Sequence, residues 1–206
     1  MQNFIGYMFF SFIEGFAVFA LMFYLFRINM MKYIKPIILV NIFINFVSFL
    51  IRKEPLLADM SPIMNLAICV LLMAQIVRIP FIWSMLTVLT GYMAFGVIQA
   101  SIVFFSFMSI EEWAEVVWKG YVFQLLSGII GTAIGFMIYR LGYGFTFEFD
   151  KLRFKWERIF IIGLSFIFLI SVIITLASKK LFVILLVFTI AFVFFLLYSY
   201  WKDADE

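Results

Sequence analysis

Glu14 places a carboxyl group deep inside an apolar segment. It lies about ten residues into a hydrophobic run over residues 4–26, which is long enough to cross a bilayer as a helix. An ionisable group at that depth is costly and is a functional hypothesis by default. Glu14 could bind a cationic ligand, relay a proton or sense pH. It could equally be a neutral, hydrogen-bonded side chain that joins the first helix to a neighbour.

Uncharged polar residues recur in the other apolar runs. Asn41, Asn45 and Ser48 have the spacing that places side chains on one face of a helix, and Asn45 should lie at the depth of Glu14. Since consecutive helices often pack together, we predict a hydrogen bond between Glu14 and Asn45. Further polar residues in apolar runs are Asn65, Gln75, Gln99, Ser101 and Gln124. Together these side chains either line a polar cavity for a ligand or act as contacts between helices.

The fifth apolar run contains Ser127, Gly131 and Gly135, and Gly128 and Thr132 extend this small-residue face. Small side chains at a spacing of four let another helix approach closely, and this packing replaces the hydrophobic drive that lipid does not supply. The pattern predicts a close helix contact, and we expect the partner helix to belong to the same chain.

The segment 108–119 is predicted to form a short helix on the outer surface. Ser109 and Glu112 have the spacing of a capping box, and apolar residues fall on one face. The residues of interest are Glu111, Glu112, Trp113 and Glu115. Their carboxylates could attract a cationic or amphipathic peptide, or the helix could be only an interfacial anchor.

The sequence lacks the common residue combinations for catalysis and for binding metals or phosphate. The sequence has no histidine and one cysteine, Cys69, so it lacks Ser–His and Cys–His pairs and the commonest metal ligand. It also lacks a phosphate-binding glycine loop. We therefore expect a non-enzymatic protein that uses no cofactor or metal. The formal charge of +3, carried by basic residues between apolar runs, suits lipid headgroups better than nucleic acid.

Composition places these residues in a membrane. Of the 206 residues, 67% are hydrophobic and 13% are charged, against about 45–50% and about 25% in soluble domains. We predict an all-α, polytopic transmembrane bundle in a single domain, 1–206, with the lipid bilayer as its first partner. The predicted spans are about seven: 4–26, 34–51, 61–78, 81–107, 120–140, 158–177 and 181–201. The short break around 178–180 makes the last two the least secure.

The distribution of Lys and Arg predicts the orientation. Of these 15 residues, roughly two thirds follow the first, third, fifth and seventh spans, and the richer side of a membrane protein is cytoplasmic. The N-terminus is therefore predicted outside and the C-terminus inside, in a multi-pass protein of the cell membrane. The oligomeric state is left open.

This architecture resembles the membrane sensor domain of agr-type peptide quorum-sensing histidine kinases. The shared features are the outside N-terminus, the number of Phe-, Ile- and Leu-rich spans and an exit into the cytoplasm after residues 198–202. The resemblance implies a receptor-like module that binds a peptide or small amphipathic ligand. Because the chain ends where a kinase would begin, signalling would need a cytoplasmic or membrane partner.

Two alternatives remain open. The length is also similar to that of the substrate-binding subunits of energy-coupling-factor vitamin transporters, which carry an alanine-rich motif on the first helix; Ala17 and Ala20 are its counterparts here. Seven spans, where those subunits usually have six, argue against this resemblance. The other alternative is an immunity or accessory protein for a membrane-active peptide.

Overall fold

The computed structural model describes residues 4–52, 61–106, 112–113 and 116–145, together with Thr189 and Val193. Within these residues every regular element is a helix. The five long helices are α1 (Phe4–Leu25), α2 (Ile34–Ile51), α3 (Ser61–Leu72), α4 (Phe81–Ser106) and α5 (Val117–Arg140). A 3-10 turn, Met30–Tyr33, precedes α2, and a π-helical turn, Met73–Val77, extends α3.

The helix bounds agree with the first five predicted spans to within a turn. Four helical segments are long and apolar enough to cross a membrane: Phe4–Leu25, Met30–Ile51, Phe81–Ser106 and Val117–Arg140. The segment Ser61–Val77 is apolar but shorter. These helices are compatible with an integral membrane protein. Apart from Thr189 and Val193, the predicted spans 158–177 and 181–201 lie outside the described residues, so the number of crossings and the orientation stay predictions.

Helix α1 is the centre of the bundle and contacts α2, α4 and α5. Successive helices alternate in direction. The Asn41 side chain of α2 reaches the Phe12 carbonyl while the Phe49 ring meets Phe4, so α2 runs antiparallel to α1. Helix α5 runs parallel to α1, since Gly128 lies against Ile13 and Gly135 against Ala20.

The small-residue face of α5 is what brings α5 onto α1. Ser127, Gly128, Gly131 and Gly135 are the buried residues of α5. A Cβ at Gly128 would lie 3.0 Å from the Ile13 carbonyl oxygen, so this backbone approach requires a residue without a side chain. The partner of the predicted close contact is therefore a helix of the same chain.

The two ends of the bundle differ in polarity. Every residue from Ala17 to Phe26 is buried, and with Trp83, Leu86 and Met93 of α4 these side chains form an apolar core. A helix segment that is apolar on all sides belongs in such an interior. The opposite half, around the first part of α1, contains most of the buried polar residues, whereas Ser84, Thr87 and Thr90 of α4 lie in the first half. We call these the apolar half and the polar half.

Candidate functional site

A cavity of about 280 Å³ lies in the polar half of the bundle. All five helices contribute to its wall. Its polar lining consists of Tyr7, Ser11 and Glu14 from α1, Asn41, Asn45 and Ser48 from α2, Ser61, Asn65 and Cys69 from α3, Tyr92 and Gln99 from α4, Gln124 from α5, and Arg52 just after α2. A concave site with a few convergent polar groups is the usual form of a small-ligand site.

Glu14 is held by amides from two helices that are distant in sequence. The Gln99 Nε2 of α4 donates a hydrogen bond of 2.6 Å to Glu14 Oε1. The Gln124 Nε2 of α5 donates one of 3.0 Å to Oε2, and lies 3.2 Å from the Ser11 hydroxyl. The carboxyl group is thus fixed from both sides while remaining half-buried at the cavity wall.

The predicted hydrogen bond between Glu14 and Asn45 is wrong. Asn45 Nδ2 instead donates to Asn41 Oδ1 on its own helix, at 3.1 Å. The sequence argument chose α2 as the partner because it follows α1 along the chain. The longer glutamine side chains of α4 and α5 reach the carboxyl group, since α1 packs against both of those helices.

The polar face of α2 forms a connected ladder. Asn41 Nδ2 donates to the Phe12 carbonyl of α1 at 2.9 Å, and Asn41 Oδ1 accepts from Asn45. One turn further on, the Ser48 hydroxyl donates to Asn65 Oδ1 of α3 at 2.9 Å. This ladder of hydrogen bonds joins α2 to α1 and α3, and it fixes the amides of Asn41, Asn45 and Asn65 at the cavity wall. The predicted single face of Asn41, Asn45 and Ser48 is therefore the one turned toward the cavity.

Gly15 makes room for this ladder. A Cβ at Gly15 would collide with the Asn41 side-chain oxygen. A glycine beside Glu14 therefore lets the Asn41 amide lie close against α1.

The outer end of the cavity contains a cationic side chain, that of Arg52. Arg52 is exposed, lines the cavity and places its guanidinium 5.7 Å from the centre of the Tyr7 ring. Ser61, the first residue of α3, is 2% exposed, and its hydroxyl has no hydrogen-bond partner in the described part of the chain. A buried hydroxyl without a partner is unusual and requires an explanation.

One turn beyond Glu14, at its inner limit, the cavity is closed by less polar groups. The Cys69 sulfur lies 3.9 Å from the Tyr92 hydroxyl oxygen, and Val18, Phe19 and Phe95 complete the lining. Beyond them lies the apolar half. The cavity therefore extends from Arg52 at one end of the bundle to about its middle.

The structure places five of the six predicted polar-core residues around this cavity: Glu14, Asn41, Asn45, Asn65 and Gln99. Gln75 is outside it. It lies exposed in the π-helical turn at the far end of α3, more than two helical turns from Asn65. Its amide is thus at the depth of the apolar half rather than of Glu14.

The predicted outer-surface helix is described in part. Glu112 and Trp113 are helical, and Glu112 is exposed. Trp113 Nε1 donates to the Ser106 hydroxyl at 3.1 Å, and the Trp113 ring packs on Phe123. These contacts tie the segment to α4 and α5. Glu111 and Glu115 lie outside the described residues.

Six residues of the polar lining were not expected from the sequence: Tyr7, Ser11, Arg52, Ser61, Cys69 and Tyr92. Arg52 follows Ser48 by one helical turn, so helical spacing alone could have predicted that Arg52 lies on the same face of α2 as Ser48. Ser61 and Tyr92 have no such pattern, because serine and tyrosine are common at helix starts and among apolar residues.

Within the described part of the chain, no group of three His, Cys, Asp or Glu side chains is positioned to hold a metal ion. Comparisons of the chain with protein-family models, with characterised proteins and with solved structures found no match.

Proposed function

We propose that this protein is a receptor-like membrane module that binds a peptide or small amphipathic ligand in the polar cavity. The observation that carries the proposal is the cavity itself, a polar site that extends from one end of a largely apolar bundle to about its middle, with a carboxyl group in its wall. These polar groups join the helices by hydrogen bonds, and they also leave a cavity among them that a ligand could fill.

The proposal places the N-terminus outside, so that the cavity is reached from outside the cell at the Arg52 end. About seven spans then bring the C-terminus into the cytoplasm. Binding at one side of a bundle whose other half is tightly packed suits a receptor, since the ligand has no route onward through the buried residues 17–26. The signal would pass to a cytoplasmic or membrane partner. No catalytic step is part of the proposal.

The substrate-binding subunit of a vitamin-type transporter is the alternative. The cavity volume of about 280 Å³ is near the lower limit of small-molecule pockets, about 300–1,000 Å³, which suits a vitamin as well as a short peptide. The identity of the ligands that bind separates the two proposals.

The test is a thermal-shift screen of the full chain in lipid nanodiscs. The compounds are short peptides, amino acids, amphipathic amines and water-soluble vitamins. Asn45→Leu, which removes an amide from the cavity wall, should abolish any ligand-induced rise in Tm. Gln75→Leu is the matched control, because it is the same kind of change at an exposed site outside the cavity, and it should preserve the rise.

Stabilisation by vitamins alone would favour the transporter subunit. If no compound in the screen raises the Tm of the unaltered protein, or if Asn45→Leu responds as the unaltered protein does, the receptor proposal is wrong.

A further inference from the structure

The two ends of the cavity differ in charge. At the inner end, Glu14 contacts two amides, and no cationic side chain is paired with it in the described residues. At the outer end, the exposed guanidinium of Arg52 lines the cavity and forms no ion pair within residues 4–52 or the other described segments. No ion pair joins Glu14 to Arg52 in the described part of the chain.

The inner end is rich in hydrogen-bond acceptors. Gln99 and Gln124 both direct their NH₂ groups at Glu14, and Asn45 directs its NH₂ group at Asn41. The carbonyl oxygens of these three amides accept no hydrogen bond from the described residues, and each carboxylate oxygen has a lone pair to spare. An ammonium group has three N–H donors and no acceptor, so it matches this end of the cavity.

The outer end is rich in donors. The Arg52 guanidinium has five N–H groups in a geometry that fits a carboxylate. Helix α3 begins at this end, and the first N–H groups of a helix have no partner within the helix and attract anions, although Pro62 contributes none because proline has no N–H. The Ser61 hydroxyl, 2% exposed and without a partner in the described residues, adds an unused donor at the same place.

The separation of the two ends limits the ligand's length. Tyr7, whose ring lies beneath the Arg52 guanidinium, precedes Glu14 by about two turns of α1, or roughly 10 Å at 1.5 Å per residue. An extended peptide spans about 3.3–3.6 Å per residue, so the termini of a tripeptide are separated by a similar distance. Between the ends, Ser11, Asn45 and Asn65 line the wall and can pair with peptide groups.

We infer that the cavity binds a short zwitterionic peptide in one direction, with its amino group at Glu14 and its carboxylate at Arg52 and the start of α3. This inference rests on the proposed receptor function and names the class of ligand. Within the described residues, the ligand's ammonium group would be the only cation in contact with Glu14, and its carboxylate the only anion paired with Arg52.

The experiment compares three peptides on the full chain in nanodiscs by isothermal titration calorimetry. They are trialanine, N-acetyl-trialanine and trialanine amide. Trialanine should bind, and blocking either terminus should weaken binding at least about tenfold, the effect of losing one charge-assisted contact of roughly 1.4 kcal/mol or more. Because this comparison uses the unaltered protein, it does not depend on whether a variant folds.

The variants assign each terminus to its end of the cavity. Glu14→Gln should bind trialanine and N-acetyl-trialanine equally while still preferring the free carboxylate. Arg52→Gln should show the reverse pattern. Lys119→Gln, at the same end of the bundle but outside the cavity lining, is the matched control and should keep both preferences.

Equal binding of trialanine and its blocked forms would overturn the zwitterion inference, as would a Glu14→Gln protein that still discriminates against N-acetyl-trialanine. If the tripeptides do not bind but another peptide or an amphipathic amine raises the Tm in the cavity-dependent screen, this inference fails and the receptor proposal stands. If nothing binds in either experiment, both fail.

Discussion

At the scale of single residues, the cavity depends on the absence of a side chain as much as on its polar groups. Gly15 faces Asn41, and a methyl group there would collide with the amide oxygen that Asn45 uses. Asn41 would have to move, and its hydrogen bond to the Phe12 carbonyl would be lost with it. One added carbon atom therefore disturbs contacts on both α1 and α2.

We expect Gly15→Ala to lower the free energy of unfolding by about 1–3 kcal/mol, the usual effect of overpacking a tight site. The control is Gly120→Ala, where an added Cβ would meet its nearest neighbour, the Trp113 carbonyl oxygen, only at 3.9 Å. That change should be neutral or slightly stabilising, because alanine favours a helix over glycine by up to about 1 kcal/mol. Denaturant titration in mixed micelles measures both. Equal effects at the two positions would contradict the steric argument.

At the scale of helices, the contact between α1 and α5 holds the two sides of the Glu14 site together. Glu14 is on α1, and Gln124, which donates to it, lies one turn before Ser127 on the small-residue face of α5. A change that pushes these helices apart should therefore disturb both packing and the carboxyl site. The three glycines of this face are not equivalent, since the nearest atoms to an added Cβ lie at 2.7 Å for Gly128, 3.1 Å for Gly131 and 3.4 Å for Gly135.

Alanine substitutions should follow that order. Gly128→Ala should destabilise most, by about 1–3 kcal/mol, because its neighbours include the Ile13 backbone, which is not free to move aside. Gly131→Ala should be intermediate. Gly135→Ala should lie within about 0.5 kcal/mol of the unaltered protein, since 3.4 Å is ordinary contact and alanine adds helix propensity. Thermal unfolding of the three variants under one detergent condition gives the ranking. A larger loss at Gly135 than at Gly128 would be inconsistent with the packing described.

At the scale of the whole molecule, sequence reasoning located helices better than it located partners. Hydropathy placed α1 to α5 to within a turn, because each run must be long and apolar to lie in lipid. The polar face of α2 followed from helical spacing alone. The partners of Glu14 did not, because the choice of Gln99 and Gln124 depends on how α4 and α5 pack around α1. Gln75 was assigned to the cavity on residue type alone, without regard to its depth along α3.

The alternating directions of the helices make a prediction about topology. The polar half contains the start of α1, the end of α2 and the starts of α3 and α5, and the other end collects Arg27, Arg78 and Arg140. The excess of basic residues belongs in the cytoplasm. Alkaline phosphatase fusions after Arg52 and Trp113 should therefore be active, and fusions after Arg78 and Gly142 inactive, with a green fluorescent protein series giving the opposite pattern.

The fusion after Arg78 is the decisive one. The segment Ser61–Val77 is about 25 Å long at 1.5 Å per residue, somewhat less than a hydrocarbon core of about 30 Å. It can cross if the bilayer thins or flanking side chains such as Arg78 extend to the interface. A fusion after Glu206 extends the series to the predicted last two spans and should report the cytoplasm. Phosphatase activity after Arg78 would mean that α3 does not cross, and the alternating helix directions described above could not then be the orientation of these helices in the membrane.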